Sequence, residues 1–161
     1  MSTQSTEQNT PWLYTDLERQ RRDSSPWTLV QGVLAPLQFV IFLISLYLVI
    51  NYVATGAGET AASVSVIIKT ITLLTIMVTG CFWEKAVFNR WLFAHAFFWE
   101  DVVSMGVIAL HLLYVVMYFS DIGSVTLQLQ VALVAYAAYL VNALQFIYKF
   151  RIARLTAVKK L

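Results

Sequence analysis

Two acidic residues, Glu100 and Asp101, stand side by side at the head of a long apolar run, and a third, Glu84, closes the run before it. Ionisable groups in such runs are rare and costly, so each is a candidate for general acid–base work or a proton relay. Read at helical spacing, Glu100, Ser104, Val107, His111, Tyr114 and Tyr118 fall on one face, because steps of three and four keep to one side. Glu100 and His111 are then ~16 Å apart along the axis. The stripe is a polar seam that should face other helices. A competing reading keeps the acids at a helix start for its dipole alone, which accounts for one of them more easily than for two.

Other runs carry matching polarity. Gln31 and Gln38 share a face, and Pro36 between them leaves the Gly32 carbonyl without its helical donor. Asn142 and Gln145 lie three apart in the last run. Gln and Asn at such positions commonly serve as interhelical hydrogen-bond glue, the reading preferred for Gln38 and Gln145. Lys69 and His111 sit at equal depth, ~21 Å from one end of their helices. Lys69 either snorkels to the far interface or takes a buried role. His111 is either a hydrogen-bonded packing residue or a ligand. Glu84-Lys85 reads as a helix-end ion pair, and His95 as solvated.

The elements that must hold these residues follow from hydropathy. The 161-residue chain is 59% hydrophobic and 12% charged, against about 25% charged in soluble domains. Four runs, about 27–54, 60–83, 97–119 and 124–148, are each long enough for a membrane-crossing helix, which needs about 20 apolar residues. The expected fold is all-α, an integral membrane four-helix bundle. A polar tail (1–26) precedes it and a basic tail (149–161) follows. No cleavable signal peptide is read in the first 26 residues. Ten of the eleven Lys and Arg residues fall on one side: Arg19, Arg21 and Arg22, then Lys85 and Arg90, then Lys149, Arg151, Arg154, Lys159 and Lys160. The positive-inside rule makes that side cytoplasmic and puts both termini there. Trp12, Trp27, Trp83, Trp91 and Trp99 gather near the same boundary as an interfacial belt. A net charge of +2 is too small to argue for nucleic acid, and the one cysteine, Cys81, forms no internal disulfide or CxxC site.

Three blocks carry a family resemblance: Asp23–Pro36, Val78–Lys85, and Phe97–Ser104 running on to His111. They resemble the 3-vinyl bacteriochlorophyllide hydratase family of bacteriochlorophyll biosynthesis, and the fourth run, with Val141-Asn142-Ala143, is similar as well. The resemblance implies a membrane lyase of the bacterial inner membrane that adds water to a 3-vinyl group. It implies no cofactor and no metal site, since the chlorophyllide-type tetrapyrrole carries its own magnesium. The lipid bilayer and other pigment-biosynthesis enzymes are the implied partners. On this reading Glu100 is the acid, Asp101 orients it or acts as base, and Glu84 is an alternative partner from the second helix. Adjacent helical residues project about 100° apart, so Glu100 and Asp101 need not face each other. Substrate contacts are expected from His111, Ser104, Tyr114, Gln31, Gln38, Asn142, Arg90 and Lys85, with Arg22 and Lys149 as further propionate partners and His111 as the magnesium ligand. A non-catalytic chlorin-binding or assembly protein is the alternative, needing an axial ligand but no acid. A proton-coupled transporter is a third, disfavoured by the apolar outer halves of the first and fourth runs.

Overall fold

The computed structural model describes residues 13–158. Trp12, Lys159 and Lys160, used above for the belt and the basic tail, lie outside the described residues. The chain is all-helical: α1 (Asp16–Ser24), α2 (Pro26–Thr55), α3 (Glu59–Phe88), α4 (Phe98–Phe119) and α5 (Val125–Val158).

Helix α1 is the departure from expectation, since a polar tail was read there. Thr15 accepts from the Glu18 amide at 3.3 Å while Glu18 accepts from the Thr15 amide at 2.8 Å. This reciprocal capping box satisfies two orphan donors and starts a helix whose one large apolar residue, Leu17, is exposed. Ser25 ends α1 and caps α2, its hydroxyl accepting from the Trp27 amide, with Pro26 in the first turn where its missing N–H costs nothing. Thr55 leads into Gly56 at φ 73°, the left-handed close that favours glycine. Helix α3 runs past the expected end at 83 to Phe88, and α5 past 148 to Val158. Neither extension contains Gly or Pro, so both helices continue after their apolar stretch ends.

Short links make two antiparallel hairpins, α2–α3 and α4–α5, which pack mainly within themselves and lean on each other through α2–α5 and α3–α4. All four long helices are long and apolar enough to cross a membrane, and only 22–33% of their most apolar windows are buried within the protein. Leu29, Tyr47, Ile71, Phe119 and Ile147 are among the large apolar residues left outside. An apolar surface of that extent belongs in lipid. The chain is a multi-pass membrane protein.

Two apolar clusters hold it together. The central one takes Phe42 and Val49 from α2, Val66 and Leu73 from α3, Val107 and Tyr114 from α4, and Tyr136 and Tyr139 from α5. The second, at the Lys- and Arg-rich end, gathers Tyr14, Trp83, Val87, Ala96 and Phe97. Phe97 packs edge-on to Trp83 and stacks on Phe146, and Tyr14 stacks on Phe88. Each such pair adds about 0.5–1.5 kcal/mol beyond area burial. Trp83 is therefore not a belt residue: it is buried and donates its indole N–H to Thr28 Oγ1 at 3.0 Å. Trp91 and Trp99 are exposed.

Candidate active site

Glu84 at the end of α3 and Asp101 at the start of α4 bring their carboxyl groups close to each other. Both are buried, at 5% and 4% exposure. The link between the helices folds back over them. The Phe93 amide donates to Asp101 Oδ2 at 2.9 Å and the Ala94 amide to Glu84 Oε2 at 3.0 Å. Phe93 holds φ 57°, unusual for so bulky a residue and sustained only where surroundings over-determine it. Two buried carboxyl groups this close disfavour double ionisation, as in acid pairs that share one proton. The site can thus present one acid and one base together.

Glu100 turns elsewhere. Its Oε2 accepts from Lys149 Nζ at 2.9 Å, bridging α4 to α5. Asn142 Nδ2 donates to the Glu100 carbonyl at 2.9 Å, and the Ser104 hydroxyl lies 2.8 Å from the same carbonyl and 3.0 Å from Asn142 Oδ1. Beside this ion pair opens a cleft of about 420 Å³, lined by Leu13, His95, Ala96, Glu100, Tyr148, Lys149 and Ile152, a volume within the range of small-molecule sites. His95 and Ala96 belong to the link that docks the carboxylates, so cleft and acid pair share one wall.

The remaining expected residues spread out. Gln31 joins α2 to α3, donating to Thr79 Oγ1 at 2.7 Å. Gln38 is buried, and its Oε1 and that of Gln145 have no hydrogen-bond partner among the described residues. Tyr114 reaches the Ser63 carbonyl at 3.4 Å. Lys85 does not pair with Glu84: its ammonium binds Asn89 Oδ1 at 2.9 Å, four residues on along the same helix face. Arg90 is exposed. Arg22 is held by Asp23 at 2.7 Å and lies over the Tyr14 ring. Lys69 does not snorkel, being fully buried with its ammonium 3.5 Å from the centre of the Tyr139 ring. His111 is fully buried too and does not line the cleft.

The family model described as 2-vinyl bacteriochlorophyllide hydratase (BCHF) matches residues 14–152. The chain belongs to that family. Two relatives, each called 2-vinyl bacteriochlorophyllide hydratase, align over nearly their whole length. One, from Cereibacter sphaeroides, is 59% identical over 89% of both chains. The other, from Rhodobacter capsulatus, is 55% identical over 92% of this chain and 86% of its own. No solved structure matches. The stretch shared with the hydratase family opens at Tyr14, the aromatic anchor of α1, and closes at Ile152, on the cleft wall.

Sequence reasoning missed the Phe93 and Ala94 amides, because no residue type announces a backbone donor. The Thr15–Glu18 spacing that starts α1 was readable.

Proposed function

We propose that this chain adds water across the vinyl group of a bacteriochlorophyllide to give the 1-hydroxyethyl substituent. The 2-vinyl and 3-vinyl names denote the same group. The observation that carries the reading is the family match from residue 14 to 152. The acid pair supports it on chemical grounds.

The protonated member of the Glu84–Asp101 pair gives its proton to the terminal vinyl carbon. The C=C π pair forms the new C–H bond, and the positive charge left on the inner carbon spreads into the macrocycle. Water attacks that carbon and forms the C–O bond. The ionised member takes the proton that the attacking water loses, so the pair ends with one proton, as it began. The addition is neither oxidation nor reduction and calls for no cofactor. Burial keeps competing water from the cation, and the two link amides stabilise whichever carboxyl is ionised.

The cleft fits the other end of the substrate. Lys149, ion-paired with Glu100, is the one Lys or Arg that lines it; Arg22, Lys85 and Arg90 do not. Lys149 is therefore the assigned propionate partner. By the positive-inside rule the cleft opens to the cytoplasm with both termini on that side, in the bacterial inner membrane. Enzymes that make the vinyl substrate and use the carbinol product are the proposed partners.

The test is incubation of the purified protein with 3-vinyl bacteriochlorophyllide. Gain of one water in mass with a blue-shifted red absorption band is the expected result. Binding of the pigment without change in mass overturns it in favour of a pigment holder.

A further inference from the structure

Each long helix buries a side-chain polar atom that no described residue satisfies: Gln38 Oε1 on α2, Lys69 Nζ on α3, His111 Nε2 on α4 and Gln145 Oε1 on α5. Lys69 and His111 have no exposed surface at all. They flank one aromatic group: Lys69 Nζ is 6.0 Å from the Phe42 ring, Phe42 packs on Tyr136 at 5.4 Å, and Tyr136 lies 5.7 Å from His111. His111 Nδ1 sits 2.8 Å from the Val107 carbonyl, which puts the ring proton on Nδ1 and leaves Nε2 a bare acceptor.

An amine in such a place needs partners for its N–H groups. The Tyr139 face at 3.5 Å and the Phe42 face at 6.0 Å pack against it and leave N–H donors unmade. What complements a donor on one side and a lone pair on the other is a molecule that both accepts and donates. A line of hydroxyls runs from this region to the surface of the bundle. Ser65 and Ser45 hydroxyls are 2.7 Å apart, and Ser45 meets the Tyr136 hydroxyl at 2.5 Å. The Tyr136 ring lies 5.7 Å from that of His111. The two serines also line a groove of about 180 Å³ between α2 and α3 with Ile41, Ile44 and Ile68. Ser65 is six residues from the start of α3, ~9 Å along the axis, so this groove lies close to the membrane surface on the short-link side.

We propose that the centre of the bundle is a water-binding site, in which Lys69 Nζ donates to bound water and His111 Nε2 accepts from it, filled along the Ser65–Ser45–Tyr136 hydroxyls. The site is separate from the acid pair: ten residues of α4, ~15 Å, divide His111 from Asp101. It holds whether or not the proposed hydration reaction is right.

The deciding experiment is hydroxyl-radical footprinting by X-ray radiolysis of the whole protein in nanodiscs, in heavy-oxygen water and with no pigment added. Radicals form from bound water, so the buried Tyr139 ring takes up label in the native protein. Lys69→Leu loses that label, while labelling of the exposed Phe82 is unchanged. Tyr139 without label in the native protein overturns the site, and so does equal labelling of Tyr139 in native protein and variant. Should Lys69→Leu fail to fold, the native measurement decides alone.

Discussion

Glu84 and Asp101, on different helices, meet carboxyl to carboxyl, while Asp101's sequence neighbour Glu100 turns to Lys149. One helical step separates the two fates. Successive side chains diverge by about 100°, so α4 aims one acid at α3 and the next at α5. The paired acids are interhelical, and the adjacent acid is ion-paired to Lys149.

Removing either member of the proton-sharing pair removes both chemical roles. Glu84→Gln and Asp101→Asn are each expected to slow hydration by about 10²–10⁴, the usual worth of general acid–base catalysis. The double variant should be no slower than the worse single one, since groups acting as a unit are not additive. Initial rates of carbinol formation, read by mass, check this. Glu100→Gln should have the smaller effect on kcat.

Lys149→Met should act on substrate capture instead. A hydrogen bond to a charged group is worth about 1.5–3 kcal/mol, discounted here because Lys149 is 27% exposed. A rise in KM of roughly tenfold with kcat largely kept is expected. Lys149→Arg should recover most of it. A substrate whose propionate is esterified should respond equally to native protein and variant. If KM stays level in Lys149→Met, the propionate binds elsewhere.

Tyr14 predicts an alkaline limit for the docking of α1. Burial pushes its hydroxyl up from 10.0 to about 12, against the lowering effect of Arg22. The folded state therefore holds this proton more tightly than the unfolded one. Its contribution is complete below pH 10 and is lost as pH rises from 10 to 12. Proteolysis at the N-terminal helix, followed with pH, should increase across that window. In Tyr14→Phe the alkaline rise should vanish.

Much of the fold was legible because lipid imposes a simple rule. Runs of about 20 apolar residues marked α2 to α5, and charge placement separated short links from long. Lys69 was half legible: its depth beside His111 could be counted, but whether it pointed inward depended on its face. Ala62, Val66 and Leu73, all buried and in step with Lys69, carried that answer. Glu84 was legible only as an alternative partner for Glu100. Residue types displayed Glu100 and Asp101 together, whereas the partnership with Glu84 depends on a link that folds back, and backbone amides leave no mark in a sequence. Helix α1 was obscured by its polarity, although its cap was written plainly.

The docking of Glu84 and Asp101 by two main-chain amides has a consequence for how this site tolerates change. Any residue but proline supplies an N–H, so side-chain chemistry at positions 93 and 94 matters only through the φ of 57° at Phe93 and the full burial of Ala94. Adding or deleting a single residue between 89 and 97 shifts both amides off their carboxylates at once. What this stretch must preserve is its count, together with the buried Ala94, Ala96 and Phe97 that seat it.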